Sequence, residues 1–179
     1  MGSARFLPLQ VAAVCYRKRG ASFEFLLVNT TSGDRWIFPK GATARRLSHS
    51  QAAEREALEE AGAIGKIEPE HFHLYLQPKT VSARSDGIRE FVVKAFLLQV
   101  SHTQPPQEQK RNPTWFSVED APGALALGRE AKYAAELRTV IDRAVERLSV
   151  EGRIVPDYSP APTYSIWRTL LRLLRLNFL

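Results

Sequence analysis

The 179-residue chain has only one cysteine, Cys15, so it cannot form an intramolecular disulfide bond. A lone thiol fits a reducing compartment. Because Cys15 lies within the apolar run VAAVCY, we expect a small buried residue in a strand and not a nucleophile. The start of the chain also lacks the charged end and long apolar stretch of a secretory signal. Together these features predict a cytoplasmic protein.

Negative charge is in short supply. The chain has 19 Asp and Glu residues against 25 Lys and Arg, a formal net charge of +6. Such an excess favours anionic partners, which include phosphorylated small molecules, nucleic acid and acidic membrane surfaces. Nucleic acid is less favoured, because no basic stripe with interleaved aromatic residues is evident. Hydrophobic residues make up 44% and charged residues 25%, which fits one soluble domain and gives no sign of a disordered chain.

Hydrophobic patterning predicts strands and helices that alternate without a regular repeat. Ser48 and Gln51 match a capping box at the start of the first helix, and Gly62 supplies its C-terminal stop. The predicted strands are residues 7–16, 23–29, 35–38, 71–77, 89–100 and 114–118, and the predicted helices are residues 48–61, a turn at 118–126 and residues 129–148. This order favours the α+β class, with a mixed sheet and helices on its faces.

The C-terminal tail differs from the rest of the chain. Residues 149–164 contain three prolines and predict a surface linker. Residues 165–179 predict a basic amphipathic helix in which Arg168, Arg172 and Arg175 share one face. A helix of about 14 residues is too short to span a bilayer. It suits docking onto the domain, a homodimer contact or a membrane surface, and the sequence leaves these three open.

Three glutamates crowd one face of the first predicted helix. With about 100° of rotation per residue, Glu56, Glu59 and Glu60 fall within an arc of about 100°. Like charges at this spacing repel, and Ala52 and Ala53 on the same face are too small to screen them. Carboxylate oxygens with no His or Cys nearby point to magnesium or manganese rather than zinc. A solvated acidic face is the alternative interpretation.

The loop before this helix favours the metal. Gly41 has no side chain, so its backbone can approach an ion closely and its carbonyl can complete the coordination. Lys40 adds positive charge, and Arg55 is placed to orient Glu59 from one turn away. Magnesium normally keeps waters and binds substrate phosphates. The site therefore predicts a phosphate-bearing substrate.

The spacing of these residues resembles the Nudix box, which that family writes as GX5EX7REUXEEXGU with U an aliphatic residue. The matches stand in register over 22 positions and are Gly41, Arg55, Glu56, Glu59, Glu60 and Gly62. The resemblance extends over about residues 7–148. It implies a Nudix hydrolase domain in residues 1–148, with the α/β/α sandwich of that family.

The resemblance also implies an activity, namely hydrolysis of a diphosphate linkage, X-O-P-O-P, by a water that attacks phosphorus. Magnesium, or manganese, would bridge the phosphate oxygens. By carry-over from the box, Glu56, Glu59 and Glu60 are the metal ligands, the Gly41 carbonyl region is a further ligand and Arg55 is the orienting residue. The general base is either a box glutamate or an acid from a later loop, for which Glu108 is the candidate.

One position departs from the box. The family has a glutamate six residues after the glycine, and this chain has Leu47 there. We expect hydrolysis to survive, because the family holds its metal mainly through the later glutamates. Two alternatives stay open. A non-catalytic Nudix-fold binding or regulatory module follows from Leu47, and an RNA 5′-end pyrophosphohydrolase is compatible with the basic charge.

Basic residues around two loops, together with Lys40 in the PKG segment, are candidate phosphate contacts, although each one singly is explained as a surface residue. They resemble the diphosphoinositol polyphosphate and diadenosine polyphosphate hydrolase branch, so we expect a long polyphosphate substrate. Trp36, Phe38 or Tyr75 can stack on a base, but core packing explains Trp36 and Phe38 equally well. The loop residues are Arg17, Lys18 and Arg19 on the first hairpin and Lys79, Arg84 and Arg89 around the second loop.

Overall fold

A computed structural model describes residues 7–80 and 88–150 of the chain. In chain order the elements are β1 (Leu9–Arg19), β2 (Ser22–Asn29), β3 (Trp36–Ile37), β4 (Lys40–Ala42), α1 (His49–Ala61), β5 (Ala63–Ile67), β6 (His73–Thr80), β7 (Ile88–Thr103), β8 (Thr114–Ser117), α2 (Asp120–Ala126) and α3 (Ala131–Val150).

Strand β1 lies at the centre of one mixed sheet. It runs parallel to β7 on one edge and antiparallel to β2 and β4 on the other. Strand β2 pairs with β1 from Tyr16 onward, so β4 pairs with the start of β1, and Gly41 is the register partner of Val11. On its other edge, strand β7 pairs with β5 and β6, and β2 pairs with β3 and β8. This pairing places the segment that contains Gly41 beside the start of the central strand β1.

Alternation along β1 divides the core into two layers. Val14 belongs to the cluster that includes Ile141 of α3, whereas Cys15 belongs to the cluster that includes Ala57 of α1. Helices α2 and α3 therefore cover one face of the sheet and α1 covers the other. The result is an α/β/α sandwich, which confirms the expected α+β class with a mixed sheet. Cys15 is fully buried, and burial raises the pKa of its thiol, as suits a core residue.

Two short strands were not predicted from the sequence. The prediction of a loop at residues 40–42 is wrong, because β4 forms there by pairing with β1. Strand β5 begins directly after Gly62 and pairs with β7 across an irregular register. Segments of three to five residues that contain glycine carry little strand propensity of their own. Their structure comes from the neighbouring strand.

Some sequence predictions concern residues outside the described ranges. These are most of the linker at 149–164, the amphipathic helix at 165–179 and Arg84. Helix α3 itself continues through Val150, two residues past its predicted end. Within residues 7–80 and 88–150, the structure holds no helix that is both long and apolar enough to cross a membrane.

Candidate functional site

Helix α1 begins and ends at the residues that its sequence predicts. The Ser48 hydroxyl accepts a hydrogen bond from the Gln51 backbone amide, and the Gln51 side-chain oxygen accepts one from the Ser48 backbone amide, which completes the capping box. Gly62 adopts the left-handed conformation with φ +61° and ends the helix. Ala53 and Ala57 are fully buried against the sheet. Their small side chains let α1 lie close to the sheet, so its acidic face packs against strand β4, which contains Gly41.

Glu56 lies directly against Gly41. The carboxylate is buried, with the residue 7% exposed. A Cβ atom on Gly41 would lie closer than 3.0 Å to all three atoms of the Glu56 carboxyl group. Arg55 donates a hydrogen bond from Nη2 to Glu56 Oε1 at 2.8 Å, and its Nε lies 3.6 Å from Glu59 Oε1. Arg55 therefore reaches both neighbouring glutamates, and Gly41 leaves the space that the Glu56 carboxylate fills.

Glu60 is the most deeply buried of the three glutamates, with 3% of the residue exposed. Its Oε2 accepts a hydrogen bond from the Lys40 backbone amide at 3.0 Å, and its Oε1 lies 2.5 Å from Arg111 Nη2. Burial raises the pKa of Glu60 to about 7, although Arg111 and the Lys40 amide act against this rise. Glu59, by contrast, is half-buried, with 35% of its side chain exposed.

The loop between β7 and β8 closes over the C-terminal end of α1. The Gln104 amide donates to the Gly62 carbonyl at 2.9 Å, and the Glu108 amide donates to the Glu59 carbonyl at 2.9 Å. Glu108, the candidate base, is thus held at the last turn of the helix. Its carboxylate is half-exposed and accepts a hydrogen bond from Arg111 Nε at 2.7 Å.

Arg111 was missed by the sequence analysis. It contacts both Glu60 and Glu108, which are separated from it by 51 and 3 residues. The sequence gives little indication that Arg111 belongs to the site, because an arginine three residues after a glutamate in a Pro-rich polar loop predicts an exposed ion pair. Only the docking of this loop onto α1 brings Arg111 to the box.

Leu47, which stands where the box has a glutamate, is partly buried and packs against the core cluster beneath α1. Ala52 and Ala53 were expected on the acidic face, but both are fully buried in that same cluster. The acidic face is therefore narrower than predicted. It meets the sheet through Glu56 and Glu60.

The structure does not bring the first basic group to this site. Arg17 lies six residues beyond Val11, the register partner of Gly41, which places it roughly 20 Å further along the strand at about 3.3 Å per residue. Arg17 and Arg19 both pair with Glu24, and Arg17 also lies over the Trp115 ring at 4.1 Å. Lys18, next to them at the end of β1, is exposed.

Two members of the second basic group, Lys79 and Arg89, lie on strands at the same end of the sheet as Gly41. Lys79 and Arg89 are register partners in the β6–β7 hairpin, beyond the point where β7 joins the start of β1. Lys40 is closer, since it belongs to β4 itself, and its Nζ lies 3.4 Å from Gln10 Oε1.

The aromatic candidates for base stacking have packing roles. Trp36 packs edge-to-face with Phe116 at a centroid distance of 5.0 Å. Phe38 and Tyr75 are buried in the core cluster that α3 covers. Core packing therefore accounts for all three predicted aromatic residues.

Glu56, Glu59 and Glu60 suit a hard divalent cation by their chemistry. In the part of the chain that the structure describes, no three His, Cys, Asp or Glu side chains already converge on one point. Burial nevertheless raises the pKa of Glu60, so a cation beside it would offset the cost of its negative charge. Magnesium and manganese bind carboxylate and carbonyl oxygens. The site offers two buried carboxylates, a third one nearby and the backbone carbonyl of Gly41, where no Cβ takes up space.

Comparisons with known proteins identify relatives of this chain. The family described as "NUDIX domain" matches residues 7–139. "Nudix hydrolase 18, mitochondrial" from Arabidopsis thaliana is 27% identical over 128 residues, which cover 72% of this chain and 66% of that protein. The chain spans two thirds or less of the length of the curated relatives that it matches.

Solved structures show the same fold. The C. elegans Ap4A hydrolase is 22% identical, with a TM-score of 0.53, over 80% of this chain and 99% of that one. The NUDIX domain of Shewanella oneidensis NrtR, complexed with ADP ribose, is 20% identical, with a TM-score of 0.56, over 80% of this chain and 90% of that one. At these identities the likeness concerns the fold.

Proposed function

We propose that this chain, which belongs to the Nudix family, is a magnesium- or manganese-dependent hydrolase that cleaves a phosphoanhydride bond. The observation that carries the proposal is the burial of Glu56 and Glu60 against Gly41 and the Lys40 amide. Burying two carboxylates on one helix face is costly, and a bound cation offsets that cost. The same cation attracts a phosphorylated substrate.

Each residue of the site has a proposed task. Glu56, Glu59 and Glu60, with the Gly41 carbonyl, would hold the metal, which would supply positive charge that neutralises the phosphate oxygens. Arg55 orients Glu56 through its 2.8 Å hydrogen bond. A carboxylate accepts the proton of the attacking water, and Glu108 suits this task because it is half-exposed at the end of α1.

For the substrate we propose a nucleoside polyphosphate or a diphosphoinositol-type molecule. Lys40, Lys79 and Arg89 lie on strands at the Gly41 end of the sheet, and basic residues on these strands suit an anionic substrate. The C. elegans Ap4A hydrolase, which has the same fold, is the reason to include diadenosine polyphosphates among the substrates tested. Arg17, at the far end of β1, is too distant to join this group. We keep a cytoplasmic location as part of the proposal.

A second candidate is a non-catalytic module that binds a nucleotide ligand. It is favoured by Leu47, which puts a core-packing side chain in place of a box acid. The NrtR domain complexed with ADP ribose shows that this fold binds such a molecule. ADP-ribose therefore belongs among the test ligands.

The test is phosphate release with magnesium from diadenosine polyphosphates, diphosphoinositols, nucleoside triphosphates, nucleotide sugars and 5′-triphosphorylated RNA. We expect turnover of the first two classes. Glu56→Gln and Glu60→Gln should lower kcat by about 100-fold or more, because each removes a charged ligand. Glu54→Gln is the matched control, since Glu54 is an exposed glutamate of the same helix, and it should stay within about twofold of wild type.

Three outcomes decide between the candidates. Turnover that survives Glu56→Gln and Glu60→Gln would contradict the metal assignment. Binding of ADP-ribose without hydrolysis of any phosphoanhydride would favour the non-catalytic module. Turnover confined to 5′-triphosphorylated RNA, with a steep dependence on salt, would replace the small-molecule substrate by an RNA end.

A further inference from the structure

Arg111 is a buried arginine in a loop, with 10% of its side chain exposed. All three guanidinium nitrogens have partners. Nη2 lies 2.5 Å from Glu60 Oε1 and 2.5 Å from Glu108 Oε2, Nε donates to Glu108 Oε2 at 2.7 Å, and Nη1 donates to the Asn29 carbonyl at 3.2 Å. A buried guanidinium is costly to desolvate, so a full set of partners is the condition for its presence.

The backbone around Arg111 fixes the side chain in place. Its carbonyl accepts a hydrogen bond from the Asn29 amide at 2.6 Å, so main chain and side chain both attach to the end of β2. The residues on either side, Lys110 and Asn112, have φ angles of +65° and +45°. The left-handed region is unfavourable for residues other than glycine, and it persists where the surroundings require it. The loop is thus bent at the two positions that direct Arg111 inward.

Arg111 joins two carboxylates with different surroundings. Glu60 Oε1 and Glu108 Oε2 both lie 2.5 Å from the same nitrogen, so they are at most about 5 Å apart. The side chain of Glu60 is 4% exposed, whereas that of Glu108 is 46% exposed. Two carboxylates at this distance repel unless a cation stands between them. Arg111 therefore links a buried carboxylate to one that is open to water.

We propose that Arg111 is a positioning residue that holds the Glu60 carboxylate for the metal and sets the Glu108 carboxylate beside it. This inference rests on the function proposed above. The planar guanidinium is suited to the task, because it donates in fixed directions to two acids and a carbonyl at once. A lysine supplies the same charge but only a point contact. Arg111 therefore contributes the fixed donor directions of its guanidinium group in addition to its charge.

The alternative is that Arg111 only stabilises the loop. In that case a substitution would lower the melting temperature but leave metal affinity and the kinetics of the folded enzyme unchanged. The deciding variant is Arg111→Lys, which keeps the charge, with Arg111→Gln as a second variant. Arg143→Gln is the matched control, because Arg143 also pairs with a glutamate three residues away, Glu146, but on the exposed surface of α3.

The experiment combines two measurements on the full chain. Manganese affinity is measured by calorimetry or electron paramagnetic resonance without substrate, and kcat and KM are measured with the substrate that the screen identifies. We expect Arg111→Lys to weaken manganese binding and to lower kcat, each by about 10- to 100-fold, as is typical for residues that orient metal ligands. KM should change less than about threefold. Arg143→Gln should match wild type in both measurements.

The outcomes separate this inference from the proposed function. If wild type binds manganese and turns over substrate, but Arg111→Lys leaves affinity and kcat unchanged, the positioning role is wrong and the function stands. If wild type binds manganese without any turnover, the function is wrong, and weaker binding by Arg111→Lys still supports the positioning of Glu60. If wild type neither binds manganese nor turns over substrate, both are wrong. When Arg111→Lys lowers kcat, the same change in a Glu108→Gln background should have a smaller effect, because one partner of Arg111 is already altered.

Discussion

Replacing Gly41 by alanine should displace one carboxylate while leaving the fold in place. Gly41 is not at a positive φ, so alanine adopts its backbone conformation without strain. The new methyl group meets no other chain segment as closely as it meets Glu56, because the three nearest atoms all belong to that carboxyl group. The perturbation therefore acts on a single side chain of the proposed metal site.

The expected magnitude follows from the packing. All three carboxyl atoms would lie closer than 3.0 Å to the new Cβ, whereas ordinary contact begins at 3.4 Å. Glu56 must withdraw and weaken its hydrogen bond with Arg55. Crowding of this kind costs about 1–3 kcal/mol of unfolding free energy. A misplacement of about 1 Å in a catalytic group can cost on the order of 100-fold in rate. We expect a modest loss of stability and a loss of kcat of about that size.

Urea unfolding, manganese titration and steady-state kinetics measure the three effects. Gly123→Ala is the control, since a Cβ there meets nothing within 4 Å, and alanine in helix α2 should raise stability by about 0.5–1 kcal/mol without changing kcat. The double variant Gly41→Ala with Glu56→Ala isolates the cause. In the Glu56→Ala background the carboxyl group that the new methyl group would clash with is absent, so Gly41→Ala should cost almost no further stability.

The reasoning is refuted if Gly41→Ala keeps wild-type manganese affinity and kcat. It is also refuted if Gly41→Ala destabilises the Glu56→Ala variant as strongly as it destabilises wild type. The first result would mean that the Glu56 carboxylate does not serve the metal site, and the second that it does not occupy the space beside Gly41 in solution.

Two further predictions concern Leu47 and His73. Leu47→Glu, which restores the acid of the box, should lower the free energy of unfolding, measured in urea, by about 1–3 kcal/mol, because a carboxylate replaces a side chain packed on the core. The control Leu47→Met should cost under about 1.5 kcal/mol. Equal stability of Leu47→Glu and wild type would contradict this packing. Burial, with Arg143 and His71 nearby, lowers the pKa of His73 from 6.5 to about 4, so the unfolded chain binds the proton first and stability should fall as pH falls from 6.5 to 4. His73 is only partly buried and solvent screens its charge, so we expect a fall of about 1–2 kcal/mol. His73→Gln should remove most of this fall in urea unfolding at pH 7 and pH 4.5, and the exposed His102→Gln should not; equal pH dependence of wild type and His73→Gln would count against it.

Local patterns predicted much of the framework. The capping box of Ser48 and Gln51 and the C-terminal Gly62 define α1 correctly, because a helix end is satisfied by residues a few positions away. The strands β1, β2, β6, β7 and β8 follow from apolar runs in the same way. Strand β4 was missed, because three residues around Gly41 become a strand only through their pairing with β1.

The candidate site was likewise predictable from the sequence only where it depends on residues close together in the chain. Glu56, Glu59 and Glu60 share a helix face by their spacing alone, so the sequence predicts their proximity. Their unequal burial depends on the sheet, which covers Glu56 and Glu60 and leaves Glu59 half-exposed. The basic residues show the limit most clearly. Arg17 and Arg89 are both basic hairpin residues in the sequence, but the parallel pairing of β1 and β7 places them at opposite ends of the sheet.

By itself the sequence determined the family, the acidic helix and the order of most elements, since each depends on residues close together in the chain. Tertiary structure alone decided that Gly41 makes room for Glu56 and that Arg111 stands between Glu60 and Glu108. The physical reason is range. Helix periodicity and capping act over a few residues, whereas the contact of Arg111 with Glu60 spans 51 residues and exists only because the loop after β7 docks onto the end of α1.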